Sequence, residues 1–331
     1  MTSALLRVAP EELQLLLYRA ARNRGAPEKD ADSVADHYWE AEVRGKSTHG
    51  LSKFLYESQY FKDRLGNVEL IAETGPIIRF DGNREIGPIA ALQVIRECST
   101  RAKRYGICLA AISNIQRFGM LRPWAELFIQ AEVFGIVLST CERAMAPLGG
   151  TSKVLGSNPI AFAIPTMSHT YVADLATSKV AMSTIWSCLD EGRLLPAASF
   201  FDAAGKYTRD PSRAKAVRGF GGYKGYALSL LIQMITGPVT GFASAGKVKS
   251  MYDIGYVFLG VDPTVFQTYA EFLNNATDLV DEIKAARRAH QTAPIVLPGE
   301  HSDRYKELVL ARGWLPVSRR AWGEVREIAQ G

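Results

Sequence analysis

Residues 77–112, IIRFDGNREIGPIAALQVIRECSTRAKRYGICLAAI, contain the pattern that decides the fold class. The apolar run 77–80 is typical of a core strand, and Asp81-Gly82 predicts that this strand enters a turn. The segment 88–104 predicts a helix, and the apolar run 107–112 predicts a second core strand. A strand, a helix and a strand in this order indicate the α/β class.

The rest of the chain places a mixed centre between two helical ends. Short apolar runs predict further core strands at 135–138, 160–164, 171–175 and 256–261. Helices are predicted from Pro10 to the Gly25 break, over 28–43, from near His49, and again from about Pro263. We therefore predict a helical domain (1–72), a cofactor-binding and catalytic domain (73–264), and a helical C-terminal part (265–331) that packs with the N-terminal helices.

The composition is that of an ordinary globular chain. Of 331 residues, 47% are hydrophobic and 22% are charged, and the net charge of +5 is too small to indicate a nucleic-acid partner. No run approaches the roughly 18 apolar residues of a membrane span, and no signal-peptide pattern is present, which predicts a cytoplasmic protein. Cys98, Cys108, Cys141 and Cys188 lack CxxC spacing, so we expect reduced thiols and no metal site.

A glycine-rich segment is the first candidate for cofactor binding. The Rossmann pattern GxGxxG after a strand is absent, but residues 219–225, GFGGYKG, precede a predicted helix at 226–235. The preceding segment 212–218 is too polar for a core strand, and the GK[ST] ending of a P-loop is missing. Two readings stay open for 219–225, anion binding at a helix N-terminus and a flexible turn.

Thr48-His49-Gly50 is the first candidate for proton transfer. A hydroxyl stands beside an imidazole at a predicted helix start, and Lys53 follows one turn later on the same face. Such a face suits an acid and a carboxylate anchor, although a capping Thr and a merely structural His fit the same spacing. Asp174 ends an apolar run, where a carboxylate needs a partner such as His49 or serves as the N-cap of the following helix.

Six motifs in a fixed order extend over nearly the whole chain. They are RGKSTHG (44–50), NIQRFG (114–119), GSNPIAF (156–162), DLATS (174–178), GGYKGY (221–226) and LPGE (297–300). In this order the chain resembles the malate/L-lactate dehydrogenase-like family, which includes ureidoglycolate, sulfolactate, diketogulonate and Δ1-piperideine-2-carboxylate enzymes. The resemblance implies a homodimer with a mixed-sheet, non-Rossmann domain that binds NADH or NADPH, and a separate helical domain built from both chain ends.

The resemblance also implies roles for individual residues. A relay of hydroxyl, imidazole and carboxylate corresponds to Thr48, His49 and Asp174, with His49 as the proton donor. Ser157 corresponds to a position near the nicotinamide or the substrate. The cofactor contacts correspond to Phe118, Gly119, Met120, Leu121, Thr140, Asp174, Leu175, Ala176, Lys224, Gly225, Pro298, Gly299 and Glu300.

Three departures from the family pattern fall at pocket positions. Arg117 stands where the family usually has a histidine that acts as a base, a role that a guanidinium cannot take near neutral pH. Lys53 stands where a substrate-binding Arg is usual, which turns a bidentate fork into a point charge. Cys141 stands where Asn is common. We interpret these departures as a change of substrate.

A cyclic α-imino (ketimine) acid fits the departures, because it arrives protonated on nitrogen and needs mainly hydride. Arg117 is expected to replace the carboxylate clamp that Lys53 weakens. The predicted function is NAD(P)H-dependent reduction of a C=N or C=O bond next to a carboxylate. Two alternatives stay open: a 2-hydroxy-acid dehydrogenase, and a relative that lost the reaction and serves as a binding or scaffold protein. The expected partners are a small carboxylate substrate and a second copy of the chain, without nucleic acid or membrane.

Overall fold

The computed structural model describes residues 5–190, 192–289 and 293–331. Its α-helices are α1 (Pro10–Arg24), α2 (Ala31–Val43), α3 (Leu51–Glu57), α4 (Gly87–Tyr105), α5 (Arg122–Gln130), α6 (Thr184–Asp190), α7 (Tyr223–Met234), α8 (Tyr269–Ala285), α9 (Glu300–Arg312) and α10 (Arg319–Gln330). Its strands are β1 (Leu5–Val8), β2 (Glu69–Thr74), β3 (Ile77–Glu85), β4 (Ile107–Ile115), β5 (Phe134–Ser139), β6 (Ile160–Pro165), β7 (Thr170–Leu175), β8 (Phe200–Phe201), β9 (Tyr207–Thr208), β10 (Ala216–Val217), β11 (Tyr256–Val261) and β12 (Leu315–Ser318). None of the helices in these ranges is long and apolar enough to cross a membrane.

A seven-stranded mixed sheet forms the centre of the molecule. Its order is β2-β3-β4-β11-β5-β6-β7. Strands β3 and β4 are parallel and are joined by α4, whereas the other neighbouring pairs are antiparallel. The predicted α/β class and mixed sheet are confirmed, and each predicted core strand is present. Strand β3 runs to Glu85 and β4 to Ile115, beyond their predicted ends at 80 and 112, whereas the bounds of the other predicted core strands differ by at most one residue at either end.

The turn predicted at Asp81-Gly82 is wrong, because β3 continues through both residues to Glu85. The pairing with β4 shifts between Asp81 and Glu85, and Asn83 and Arg84 adopt positive φ values of 46° and 54°. A Cβ on Gly82 would lie 2.0 Å from the Cγ2 atom of Ile115. The turn-forming residues therefore produce a bulge inside a strand.

Both faces of the sheet are covered. On one face, α4 and α5 bury Val94 and Phe128 in the largest core cluster of the described residues. On the other face, Ile232 of α7 packs with Leu138 and Val257. Residues 216–217, in the segment judged too polar for a core strand, form β10 of a separate three-stranded sheet with β8 and β9. Burial alternates along β6, which shows that one of its faces is fully buried and the other half-buried.

The two ends of the chain meet in a helical unit. Strand β1 pairs antiparallel with β12, a pairing that the sequence did not suggest. Residues from both ends share one buried core, which includes Leu13, Leu17, Tyr38, Phe54, Leu315 and Trp322. The helix α8 lies against β6 of the central sheet, and Met167 donates its N–H to the Thr277 hydroxyl at 3.0 Å. The domain bounds at 73 and 265 stay a prediction.

A buried ionic cluster joins the helical unit to the sheet. Arg44, after α2, and Arg122, at the start of α5, both donate to Oδ1 of Asp303 in α9, and the Arg122 bond measures 2.6 Å. Glu40 and Glu126 accept further bonds from these guanidinium groups. Because each buried charge has opposite charges beside it, the cluster fixes how α2, α5 and α9 meet around the site described next.

Candidate active site

A hydrogen bond from the Leu51 N–H to the Glu42 side chain holds the turn that contains His49. The His49 N–H donates to the Lys46 carbonyl at 2.7 Å, and Oε1 of the buried Glu42 accepts the Leu51 N–H at 2.7 Å. A Cβ on Gly50 would lie 2.3 Å from the Glu42 Cγ atom, so only glycine fits there. Burial raises the pKa of Glu42 to about 7. The predicted helix near His49 begins at Leu51.

The His49 imidazole is half-buried and bonded to its neighbour. Its Nδ1 atom lies 3.1 Å from the Thr48 hydroxyl oxygen, whereas Nε2 has no hydrogen-bond partner among the described residues. Burial, and then the nearby positive charges of Lys53 and Lys46, lower the pKa of His49 to about 4. The imidazole is therefore neutral at pH 7, with one ring nitrogen free for a ligand.

Because residue 119 is glycine, the 117–121 loop can pack closely against the side chains of His49 and Lys53. A Cβ at Gly119 would lie 2.6 Å from the His49 Cδ2 atom and 3.4 Å from the Lys53 Cε atom. Three predicted site residues from two separate segments thus meet at one point. A larger residue at 119 would displace the imidazole.

Lys53 and Arg117, the two predicted substrate-binding cations, share a carboxylate that the sequence analysis missed. Oε1 of Glu57 lies 3.5 Å from Lys53 Nζ and 3.9 Å from Arg117 Nε. Oε2 of Glu57 accepts the Tyr38 hydroxyl at 2.9 Å, and Arg117 also bonds Glu142 at 2.9 Å. Glu57 is four residues after Lys53 on α3, so helical spacing pointed to it, but a lone Glu on a helix usually faces solvent.

Asp174 lies at the end of β7 and binds the start of α5. Its Oδ2 atom accepts the N–H groups of Leu121 at 2.9 Å and Arg122 at 3.0 Å. The cap is thus on α5, not on the following helix, because β7 ends beside the N-terminus of α5. No hydrogen bond joins Asp174 to His49 within the described ranges, and the relay stays a prediction. Although the Asp174 side chain has exposed surface, the protein atoms packed around it exclude enough water to raise its pKa to about 6.

The glycine-rich segment lies beside the end of β7, where an anionic cofactor was predicted. The Phe220 N–H donates to the Thr177 carbonyl at 3.0 Å, and a Cβ on Gly225 would lie 2.7 Å from that carbonyl oxygen. Gly222 precedes α7 without a side-chain cap, and Lys224 in its first turn is exposed and makes no ion pair among the described residues. An uncapped helix N-terminus and a free cation fit a cofactor phosphate.

The turn at Pro298–Glu300 packs against β7. A Cβ on Gly299, whose φ is 86°, would lie 2.5 Å from the Val172 carbonyl oxygen. Glu300 accepts bonds from Lys284 at 2.6 Å and from the Leu297 N–H at 2.8 Å. The turn is therefore brought to the edge of the sheet that carries Asp174, Leu175 and Ala176.

Four of the predicted cofactor contacts have buried side chains, namely Phe118, Met120, Leu121 and Thr140. Phe118 stacks on Tyr256 with ring centroids 4.4 Å apart, and the Thr140 hydroxyl lies 2.5 Å from the Thr236 hydroxyl. These side chains form the floor of the site. The half-buried Ser157 accepts the Thr177 N–H on its carbonyl at 2.9 Å, which ties it to the glycine-rich segment.

A second imidazole, His37, lies behind this floor. Its ring stacks on Trp124 with centroids 5.4 Å apart, and neither ring nitrogen has a hydrogen-bond partner among the described residues. Burial, and then His49, lower the pKa of His37 to about 3. His49 is therefore not the sole imidazole of the region, but it is half-buried, whereas His37 is buried.

Comparisons with known proteins agree over nearly the full length. The family model described as malate/L-lactate dehydrogenase matches residues 8–326. The L-sulfolactate dehydrogenase of Methanocaldococcus jannaschii is 31% identical, with 96% of this chain and 95% of that protein covered. The Delta(1)-pyrroline-2-carboxylate reductase of Ancylobacter novellus is 27% identical, with 91% and 92% covered.

A solved structure has the same fold. The sulfolactate dehydrogenase from Methanocaldococcus jannaschii superposes with a TM-score of 0.90 at 28% sequence identity, over 98% of this chain and 97% of that one. Together with the family match over residues 8–326, this agreement in sequence and fold shows that the chain is a nicotinamide-dependent oxidoreductase that belongs to the malate/L-lactate dehydrogenase family.

Proposed function

We propose that the protein uses NADPH or NADH to reduce a C=N or C=O bond next to a carboxylate, in a cyclic α-imino acid or an α-keto acid. The observation that carries the proposal is the meeting of His49, Lys53 and Arg117 around Gly119. An acid-base group and two cations lie close together, which suits a small carboxylate. The similarity to a reductase named for pyrroline-2-carboxylate supports the imino acid.

Each residue has a role that follows from its contacts. Lys53 and Arg117 orient the substrate carboxylate, and Thr48 holds the His49 ring through Nδ1, so that Nε2 exchanges the proton. Lys224 and the N-terminus of α7 hold cofactor phosphate. A reduced nicotinamide, when bound, supplies the hydride.

The low pKa of His49, about 4, sets a condition on proton donation. Lys53 is the largest electrostatic cause of that depression after burial. A substrate carboxylate that binds Lys53 offsets its charge and raises the pKa of His49, so the imidazole becomes a better donor only when substrate is present. An iminium substrate needs this proton less than a ketone does.

The test is consumption of NADPH and of NADH over a panel of α-keto acids and cyclic α-imino acids, repeated with His49→Ala. We expect turnover of at least one cyclic imino acid and a loss of about a hundredfold or more in the variant. Turnover of keto acids alone would remove the imine preference. Full activity of the variant would remove His49 from the mechanism, and no binding of either cofactor would favour the scaffold alternative.

Oxidation of a 2-hydroxy acid is the second candidate, because a neutral imidazole is already in the form of a base. The similarity to a protein named L-sulfolactate dehydrogenase favours the same direction. Formation of NADH or NADPH from sulfolactate, malate or lactate, at a rate above that of imine reduction, would make this candidate the better one.

We also propose a homodimer that forms through α7. The exposed face of this helix and the turn after it is apolar and contains Tyr223, Leu230, Leu231, Met234 and Val239. A patch of this kind marks an interface, and a two-fold dimer would place this stripe against the same stripe of a second copy. We expect light scattering to give the mass of a dimer for the wild type and of a monomer for Leu231→Glu. The exposed Leu308→Glu in α9 is the control, and equal masses for all three proteins would contradict the interface.

A further inference from the structure

Four charged side chains lie in contact with one another near His49. We name them the charge cluster: Lys53, Glu57, Arg117 and Glu142. Glu57 lies between the two cations, 3.5 Å from Lys53 Nζ and 3.9 Å from Arg117 Nε. Glu142 binds the outer side of Arg117 at 2.9 Å. Two positive and two negative groups therefore stand within one site.

The two carboxylates differ sharply in their exposure to water. The Glu57 side chain is fully buried, whereas 58% of the Glu142 side chain is exposed. Solvent screens the charge of Glu142, but the charge of Glu57 acts across a low-dielectric interior. At the position of a substrate beside Lys53 and Arg117, the charge of Glu57 is consequently less screened by solvent than the charge of Glu142.

Two buried atoms of the charge cluster have no hydrogen-bond partner among the described residues. They are Oε1 of Glu57 and Nε of Arg117, which face each other across 3.9 Å. An unpaired buried polar atom is costly, so the opposite charges across the cluster are what stabilise these two atoms. The Lys53 and Arg117 side chains are 24% and 19% exposed, so a substrate carboxylate can reach these cations, whereas Glu57 acts on it through its charge alone.

We propose that Glu57 determines specificity by charge: it pairs Lys53 with Arg117 and limits the site to substrates that carry one carboxylate and no second anion. This inference rests on the proposed function in one respect, that the substrate carboxylate binds at Lys53 and Arg117. A zwitterionic imino acid leaves the site neutral, and a monocarboxylate keto acid adds one negative charge. A dianion places its second charge against the buried Glu57.

Glu57→Gln tests the inference because it removes the charge and keeps the shape. Malonate and propionate, which share a three-carbon chain, are titrated calorimetrically into wild type and variant in the presence of oxidised cofactor at fixed ionic strength. We expect the ratio of the malonate Kd to the propionate Kd to fall by about tenfold in Glu57→Gln. An unchanged ratio, or binding of neither anion to either protein, overturns the inference.

Glu142→Gln is the matched control, because it removes an equal charge from the same arginine at an exposed position. We expect it to change the ratio by less than about threefold. A change as large as that of Glu57→Gln would show that burial of Glu57 is not the cause, and would overturn the inference. If Glu57→Gln does not fold, Glu57→Met is the second variant: it removes the same charge at similar volume, its ratio is expected to fall as well, and an unchanged ratio overturns the inference.

The anion titrations and the turnover panel separate two kinds of failure. A ratio that shifts as expected, in a protein that reduces no imino or keto acid, would leave the role of Glu57 intact and remove the proposed function. Turnover of those substrates, with an unchanged ratio of the malonate Kd to the propionate Kd, would keep the proposed function and overturn the role of Glu57.

Discussion

Gly119→Ala is expected to impair catalysis while the fold stays intact. The new methyl group would lie 2.6 Å from the His49 Cδ2 atom, whereas carbon atoms in contact are usually about 3.5 to 4 Å apart. The Lys53 Cε atom, at 3.4 Å, is already near an acceptable distance. The imidazole must therefore retreat by about 1 Å, and a shift of that size costs on the order of a hundredfold in rate.

The stability of Gly119→Ala should change little. The atom in the way belongs to a half-buried side chain that can rotate, and Gly119 lacks the positive φ that would strain alanine. We expect the free energy of unfolding to fall by about 1 kcal/mol or less. The change should therefore appear in kcat/KM and not in the urea midpoint.

The assay is steady-state reduction with the best substrate of the panel, together with the Kd of the reduced cofactor from its fluorescence. Gly323→Ala in α10 is the control, since no atom lies within 4 Å of its Cβ position. Wild-type kcat/KM in Gly119→Ala would refute the close approach of Gly119 and His49. A loss that comes wholly from weaker cofactor binding would refute the displaced imidazole as its cause.

Three further predictions concern charged residues. Glu42 has a pKa of about 7 in the fold against 4.5 in a free side chain, so the folded state binds more protons between these values and the free energy of unfolding falls as pH rises through them. Relative to wild type, Glu42→Gln should therefore gain up to about 3 kcal/mol across that window, and parallel urea curves would contradict this. Asp303→Asn removes the carboxylate shared by Arg44 and Arg122 and should cost about 3 kcal/mol in urea unfolding, whereas the exposed control Glu324→Gln should cost less than about 0.5 kcal/mol. Lys224→Met should raise the Kd of NADPH or NADH about tenfold with little change in the urea midpoint, and an unchanged Kd would exclude Lys224 from the cofactor site.

The elements that the sequence predicted well are those with strong local signals. Helix α4 has a proline at its start and a left-handed glycine, Gly106, at its end, and its predicted bounds differ by one residue at each end. Strand β1 was missed because four residues carry little periodicity, and its partner β12 is at the other end of the chain. Asp81-Gly82 was misjudged because the same residue types form turns and bulges.

In the site, too, contacts between residues close in sequence could be predicted, and contacts between distant segments could not. Thr48, His49 and Lys53 lie within six residues, and their local order predicted that they share a face. The contact of Asp174 with the start of α5 depends on how β7 lies in the sheet, which no local pattern reveals. The position of Glu57 between Lys53 and Arg117 depends on a contact between distant segments, which no local pattern predicts.

The pairing of β1 with β12 has a consequence for the order in which the protein acquires its structure during synthesis. Leu5–Val8 leaves the ribosome long before its partner Leu315–Ser318 is made. The core around Leu13 and Leu17 also lacks Trp322 until then. The apolar faces of the N-terminal helices therefore stay partly exposed while the central sheet is assembled. Pairing of two segments so far apart in sequence slows the last step of folding. Chaperones that hold apolar N-terminal segments should therefore increase the yield of folded protein.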